Sequence, residues 1–123
     1  MMTEYFLLKG QNMGKVGTIN WTGMSRKTYC FEVWTLDTKF IEVECVYIYT
    51  KAVNNIWQPI YVGQTSQLST RLNGHAYGDT DSDKCIQKSG ATHLHILQLK
   101  PESARFNVET DLRNNYKWSC NMQ

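Results

Sequence analysis

Six side chains in this sequence are of types that could together act on a phosphate. Tyr47 and Tyr61 bracket a polar connection, and Gly63 follows Tyr61 by two residues. Arg71 and His75 are four apart, the spacing that stacks two side chains on one face of a helix. Glu109 and Asn121 follow near the end of the chain. A guanidinium fork matches two phosphate oxygens. A histidine can move a proton near neutral pH. A lone carboxylate can hold a hard divalent ion whose other positions are filled by water. Taken singly, each residue has a plainer reading. Strand tyrosines usually pack, an arginine and histidine four apart usually line a solvated helix face, and a helix glutamate is usually solvated.

The elements that must position them are legible as patterns. Residues 28–36 and 39–50 are rich in Val, Ile, Phe, Tyr and Trp and are expected to be strands joined at Asp37-Thr38. Residues 51–59 are a polar connection with a turn signal at Asn54-Asn55, and 60–63 resume a short strand. Residues 43–63 therefore form an expected hairpin with a long tip, in which Cys45, Tyr47 and Tyr49 share one face. In-register pairing would set Tyr47 beside Tyr61, while Gly63 would let a phosphate or another backbone approach closely. Thr65 or Ser66 can cap a helix to about Ala76, with Leu68, Leu72 and Ala76 as its apolar stripe and Arg71 and His75 at its edge. Residues 77–83 are expected to be a loop, and 83–88 a weak helix stopped by Gly90. Residues 92–99 alternate as a strand. Pro101 opens a helix to about Lys117, with Ala104, Val108 and Leu112 inward, and 118–123 form a tail. Earlier in the chain, residues 4–8 and 15–21 are short strand candidates. Trp21, Phe31, Trp34 and Phe40 are expected in the core.

The order from residue 43 on is β-β-α-α-β-α, an α+β arrangement in which helices flank a small antiparallel or mixed sheet. The 123 residues divide into an N-terminal β-rich extension, 1–42, and a second region, 43–123. With 41% apolar residues the chain can build a core. The net charge is only +2, which permits a nucleic-acid partner if the basic residues cluster. Residues 1–44 balance to zero, so the excess lies in 45–123.

Cys45-Val46-Tyr47, Tyr61-Val62-Gly63, Arg71, His75, Glu109 and Asn121 resemble, in order and spacing, the GIY-YIG endonuclease family over residues 43–123. Cys45 and Val46 depart from the usual Gly-Ile of the first tripeptide, and Gln64 stands where some repair members carry a lysine. The resemblance implies a metal-dependent endonuclease that hydrolyses phosphodiester bonds, with DNA as the expected partner. It implies that Glu109 holds a single Mg²⁺ or Mn²⁺ and that Arg71 stabilises the phosphate. Tyr47 would help deprotonate water with assistance from His75, Tyr61 would position water or phosphate, and Asn121 would fix the metal side or anchor the tail. The alternative is a module that kept the fold and binds nucleic acid or protein without catalysis. Specificity would come from loops, a homodimer or an accessory DNA-binding protein.

Cys30, Cys45, Cys85 and Cys120 include no CxxC pair, so free, reduced thiols are expected rather than a Cys85/His93/His95/Cys120 metal cluster. A hydrolase using Cys45 or Cys120 has no supporting spacing. Asp79, Asp81 and Asp83 are expected to be a solvated loop, since they lack the glycine and glutamate of an EF-hand. No signal segment or membrane span is apparent, and a soluble cytoplasmic protein is expected.

Overall fold

The computed structural model describes residues 14–121; the expected strand at 4–8 lies outside them. The described residues form five strands, β1 (Lys15–Thr22), β2 (Thr28–Thr35), β3 (Cys45–Val53), β4 (Ile56–Thr65) and β5 (His93–Gln98). Three helices are α1 (Leu68–Tyr77), α2 (Asp81–Lys88) and α3 (Glu102–Arg113). The strands make one sheet in the order β1-β2-β5-β3-β4, and each pairing is antiparallel. The architecture is α+β. The late strand β5 is inserted between the two hairpins, so β1 and β2 extend the sheet on the side away from β4.

Alternation along β3 divides the core. Cys45, Tyr47 and Tyr49 point to one face, where they pack with Trp34, Leu68, Leu94, Ile96 and Ile86. Val46 and Ile48 point to the other, with Trp21, Phe31, Val62, Val108 and Leu112. Strand β3 is paired on both edges and covered on both faces, and residues 45–50 are accordingly all buried. Helices α1 and α2 cover the first face and α3 the second. Trp21, Phe31 and Trp34 are buried, and Phe40 packs against the core from a half-buried position.

The β3–β4 hairpin differs from the expected long loop. Its strands continue through the polar stretch to a two-residue turn at Asn54 and Asn55, both with positive φ (52° and 64°). Two asparagines in that conformation match the twist of the flanking strands. A register shift between Tyr49 and Thr50 then sets Tyr49 opposite Tyr61 and Tyr47 opposite Gly63. Tyr47 and Tyr61 are therefore diagonal neighbours rather than a directly opposed pair. Residues 39–44, expected as strand, are not part of the sheet. There Glu42 accepts hydrogen bonds from the backbone and hydroxyl of Thr70 in the first turn of α1. It caps a helix whose own N-cap residue, Gln67, offers no side-chain bond.

Helix α3 ends at Arg113, earlier than the expected Lys117. Asp111 near its end accepts hydrogen bonds from Ser25 N, Ser25 Oγ and the Tyr29 hydroxyl. These bonds fasten the β1–β2 hairpin to the helix on the opposite side of the molecule's chain order.

Candidate active site

Helix α1 places its functional side chains by position. Leu68 is buried, Leu72 is partly buried, and the next inward position is taken by His75 rather than by Ala76, which is exposed. His75 is wholly buried under the tyrosines of β3 and β4, with its ring 4.9 Å from that of Tyr61, 5.8 Å from Tyr47 and 5.7 Å from Tyr49. The Tyr47 hydroxyl is 2.7 Å from His75 Nε2. Arg71, one turn earlier and exposed, is close enough to Tyr47 and Tyr61 for its charge to act on both phenols.

Gly63 serves this arrangement differently from the expectation. Tyr47, its partner across the strands, lies over it: a Cβ on Gly63 would meet the Tyr47 hydroxyl at 2.6 Å and Tyr61 Cε2 at 2.9 Å. The close approach that the glycine allows is made by the phenol ring of Tyr47. Burial pushes the Tyr47 phenol well above the ordinary tyrosine value; the neighbouring tyrosines add to this, and Arg71 opposes it. Burial pulls the His75 imidazole below its ordinary value, against an upward pull from Asp83.

Asp83 is the residue that sequence reasoning missed. It is not a solvated loop residue: it is 5% exposed, and its Oδ1 is 2.9 Å from His75 Nδ1. Helix α2 begins earlier than expected, capped by Thr80, whose hydroxyl accepts from the Asp83 backbone while Asp83 Oδ2 accepts from the Thr80 backbone. The available signal was the Thr80-x-x-Asp83 spacing of a capping box, with Ile86 completing an inward face. A cavity of about 600 Å³ adjoins His75 and Tyr49, with Leu36, Phe40, Leu72 and Ile86 among its lining.

Tyr47, Tyr61, Arg71 and His75 thus converge. Asn121 and Glu109 are placed otherwise. Asn121 binds the backbone of Val62 in both directions, accepting from its N–H at 2.8 Å and donating to its carbonyl at 2.9 Å. With Cys120 N donating to Ile60 O, it covers the outer edge of β4 next to Tyr61 and Gly63. Glu109 is carried by α3, on the other face of the sheet, and no hydrogen bond or ion pair among the described residues joins it to the cluster. Its carboxyl is half-buried and accepts no hydrogen bond among those residues; burial raises it above the ordinary glutamate value, opposed by Arg113. An acceptor desolvated and left without donors fits a single hard cation completed by water and substrate oxygen. Among the described residues there is no group of three or more His, Cys, Asp or Glu that could hold a metal without such help. One turn before Glu109, the buried Arg105 bonds Gln64 Oε1, Glu44 Oε1 and Leu99 O, which ties α3 to the ends of β3 and β4.

Cys85 and Cys120 are joined as a disulfide, with Cα atoms 5.4 Å apart. This corrects the expectation of reduced thiols for that pair and removes both from any metal cluster with His93 and His95. Cys45 is buried and its thiol is pushed up to about 12 by burial, which disables it as a nucleophile at neutral pH.

No protein-family model matches the chain, and no curated protein matches it significantly. Solved structures do. The fold is GIY-YIG-like, a nuclease-type α+β fold. The magnesium-bound GIY-YIG N-terminal endonuclease domain of UvrC from Thermotoga maritima is 27% identical, covers 67% of this chain and 86% of that one, and superposes with a TM-score of 0.55. A variant of that domain with an asparagine changed to alanine, also bound to its catalytic divalent cation, is 25% identical over 68% and 87%, with a TM-score of 0.56. No helix among the described residues is long and apolar enough to cross a membrane.

Proposed function

We propose that this protein is a metal-dependent endonuclease that hydrolyses phosphodiester bonds in DNA. The observation that carries the proposal is the packing of Tyr47 and Tyr61 around the buried His75, whose Nε2 is 2.7 Å from the Tyr47 hydroxyl, with the charge of the exposed Arg71 acting on the phenol. The likeness to a divalent-cation-bound endonuclease domain supports it.

In this reaction Arg71, exposed at the mouth of the cluster, grips the scissile phosphate through its planar fork and stabilises the added charge of the transition state. As the guanidinium moves toward the phosphate, the Tyr47 hydroxyl behind it becomes accessible to the attacking water. Tyr47 is a neutral phenol at rest, because burial opposes the phenolate. It therefore acts as a relay: a water proton passes to the phenolic oxygen while the phenol's own proton passes to His75 Nε2. The water oxygen forms the new bond to phosphorus as the bond to the leaving oxygen breaks. Tyr61 shares Arg71 with Tyr47 and positions the phosphate or water. Glu109 would hold one Mg²⁺ or Mn²⁺, which would supply charge neutralisation to the reacting phosphate. Asn121 anchors the tail along β4 and so keeps Tyr61 and Gly63 in place.

The test is cutting of supercoiled plasmid with Mg²⁺, Mn²⁺ or EDTA, beside Glu109→Ala and Arg71→Ala. Metal-dependent nicking reduced at least ~100-fold by either substitution is expected. Retained DNA binding without cutting by the parent protein would instead make this a binding module that kept the fold.

A further inference from the structure

His75 can take the Tyr47 proton only if Nε2 is bare. What fixes that is on the other side of the ring. Nδ1 faces Asp83 Oδ1 at 2.9 Å, and an ionised carboxylate can only accept. Nδ1 therefore carries the hydrogen, and Nε2 accepts from the Tyr47 hydroxyl.

Asp83 is held for this contact by several independent features. Thr80 binds it through both hydroxyl and backbone. Gly78 leaves room for it, since a Cβ there would lie 2.0 Å from Asp83 Oδ2. Gln87 Nε2 donates to His75 O at 2.9 Å and to Gly78 O at 3.0 Å, tying the end of α1 to α2. Burial opposes ionisation of Asp83, but the bonds from Thr80 and His75 outweigh it and hold the carboxyl below its ordinary value.

We propose that Asp83 is a positioning residue for the cleavage reaction: it fixes the tautomer and orientation of His75 so that Nε2 can receive the proton of Tyr47. The proposal rests on the nuclease reading above. The proton balance is complete within the chain of groups. Water loses a proton to the Tyr47 oxygen, Tyr47 loses its own to Nε2, and Nδ1–H stays on the ring, so that His75 becomes a cation beside the Asp83 carboxylate. The remaining titratable or charged groups around the imidazole are Tyr47 and Tyr49 from β3, Tyr61 from β4 and Arg71 from α1.

The experiment compares the parent, Asp83→Asn and Thr80→Ala in plasmid cutting across pH, together with ¹⁵N spectra of the histidine rings. Thr80→Ala loses the hydroxyl that accepts from the Asp83 backbone but keeps the carboxylate and the backbone N–H that donates to Asp83 Oδ2, so it controls for helix fraying. The parent is expected to show His75 protonated at Nδ1 and bare at Nε2. Asp83→Asn is expected to cut at least about tenfold more slowly through kcat rather than KM. Because the carboxylate holds the imidazole up, its loss should move the acid limb of the profile to lower pH, whereas Thr80→Ala should keep most of the rate and the parent's limb. A parent that cuts while Asp83→Asn cuts equally well with the same limb overturns the role of Asp83 alone, as does a parent ring protonated at Nε2. A loss in Thr80→Ala equal to that in Asp83→Asn also overturns it, by assigning the effect to helix α2. A parent that cuts no substrate overturns the nuclease reading and this proposal with it.

Discussion

The two faces of the sheet each bury a histidine, and they hold opposite tautomers. His75 meets a carboxylate at Nδ1 and a phenol at Nε2. His95, on β5, accepts from the indole N–H of Trp21 at Nδ1, 2.9 Å away, and faces the Thr50 hydroxyl at Nε2, 3.0 Å away. An indole can only donate, so Nδ1 of His95 is bare and the hydrogen sits on Nε2, which donates to Thr50. Neither ring has exposed surface. The difference lies in what the partners lead to. Tyr47 lies within the influence of the exposed Arg71, whereas Trp21 and Thr50 end in the core, among Trp57, Tyr116 and Trp118. Burial of an imidazole alone therefore says little about catalysis. What separates the two is that the His75 imidazole is bonded to a phenol on which a surface cation acts, and the His95 imidazole is not.

The largest effect expected from this contrast is on stability in acid. Burial, with a contribution from His93, holds His95 down to about 3, against about 6.5 in the unfolded chain. A base whose value is depressed by folding takes up its proton on unfolding. Its contribution is thus intact above pH 6.5 and lost as pH falls from there toward 3. By linkage this amounts to on the order of 5 kcal/mol. Urea unfolding from pH 7 to pH 4 should show it, with a slope reduced by about one proton in His95→Asn. His75, also depressed, contributes in the same direction.

The sharpest division comes from removing one hydroxyl from each histidine. Tyr47→Phe is expected to lower plasmid cutting about 100-fold, while Thr50→Val leaves the cutting rate of folded protein unchanged. Each should lower stability by only about 1–2 kcal/mol, the cost of an unpaired buried group. Equal cutting by the two variants would erase the distinction between the faces. The smallest effect concerns the support beneath Tyr47. Gly63→Ala places a methyl against the phenol and is expected to cost about 2 kcal/mol of stability in a melting experiment, the range for forced overpacking, with a parallel loss of cutting.

Much of this arrangement was legible before the structure. The strand face of Tyr47 and the shared helix side of Arg71 and His75 follow from alternation and helical spacing, which are local rules, while their choice as a candidate site came from the resemblance in order and spacing. The pairing of Tyr47 with Gly63 was not legible, because a register shift two residues away decides it, and the strand formers Val53, Ile56 and Trp57 around Asn54-Asn55 mark a hairpin without marking that shift. Asp83 was hidden in a Gly-Asp-rich segment that reads as solvent-facing. Its partner His75 lies eight residues back, across the end of a helix, where neither periodicity applies. The disulfide was unreadable for a related reason: its two cysteines are 35 residues apart and meet only because the tail rounds the edge of β4. Nothing in the helix pattern marks Arg105 as buried; its partners, Gln64, Glu44 and the Leu99 carbonyl, come together only once the strand ends are paired.

That cross-link closes a covalent ring from Cys85 to Cys120 that contains both the inserted strand β5 and helix α3. A protease cutting anywhere within this ring, for instance in the exposed stretch around Lys100 and Pro101, would produce two pieces that still travel together. The break would stay invisible on a gel run without reductant and become visible as two bands when reductant is added. The carriers of Arg71 and Glu109 would then be separate chains held by a single sulfur–sulfur bond. Integrity of the backbone and integrity of the site are, in this molecule, different measurements.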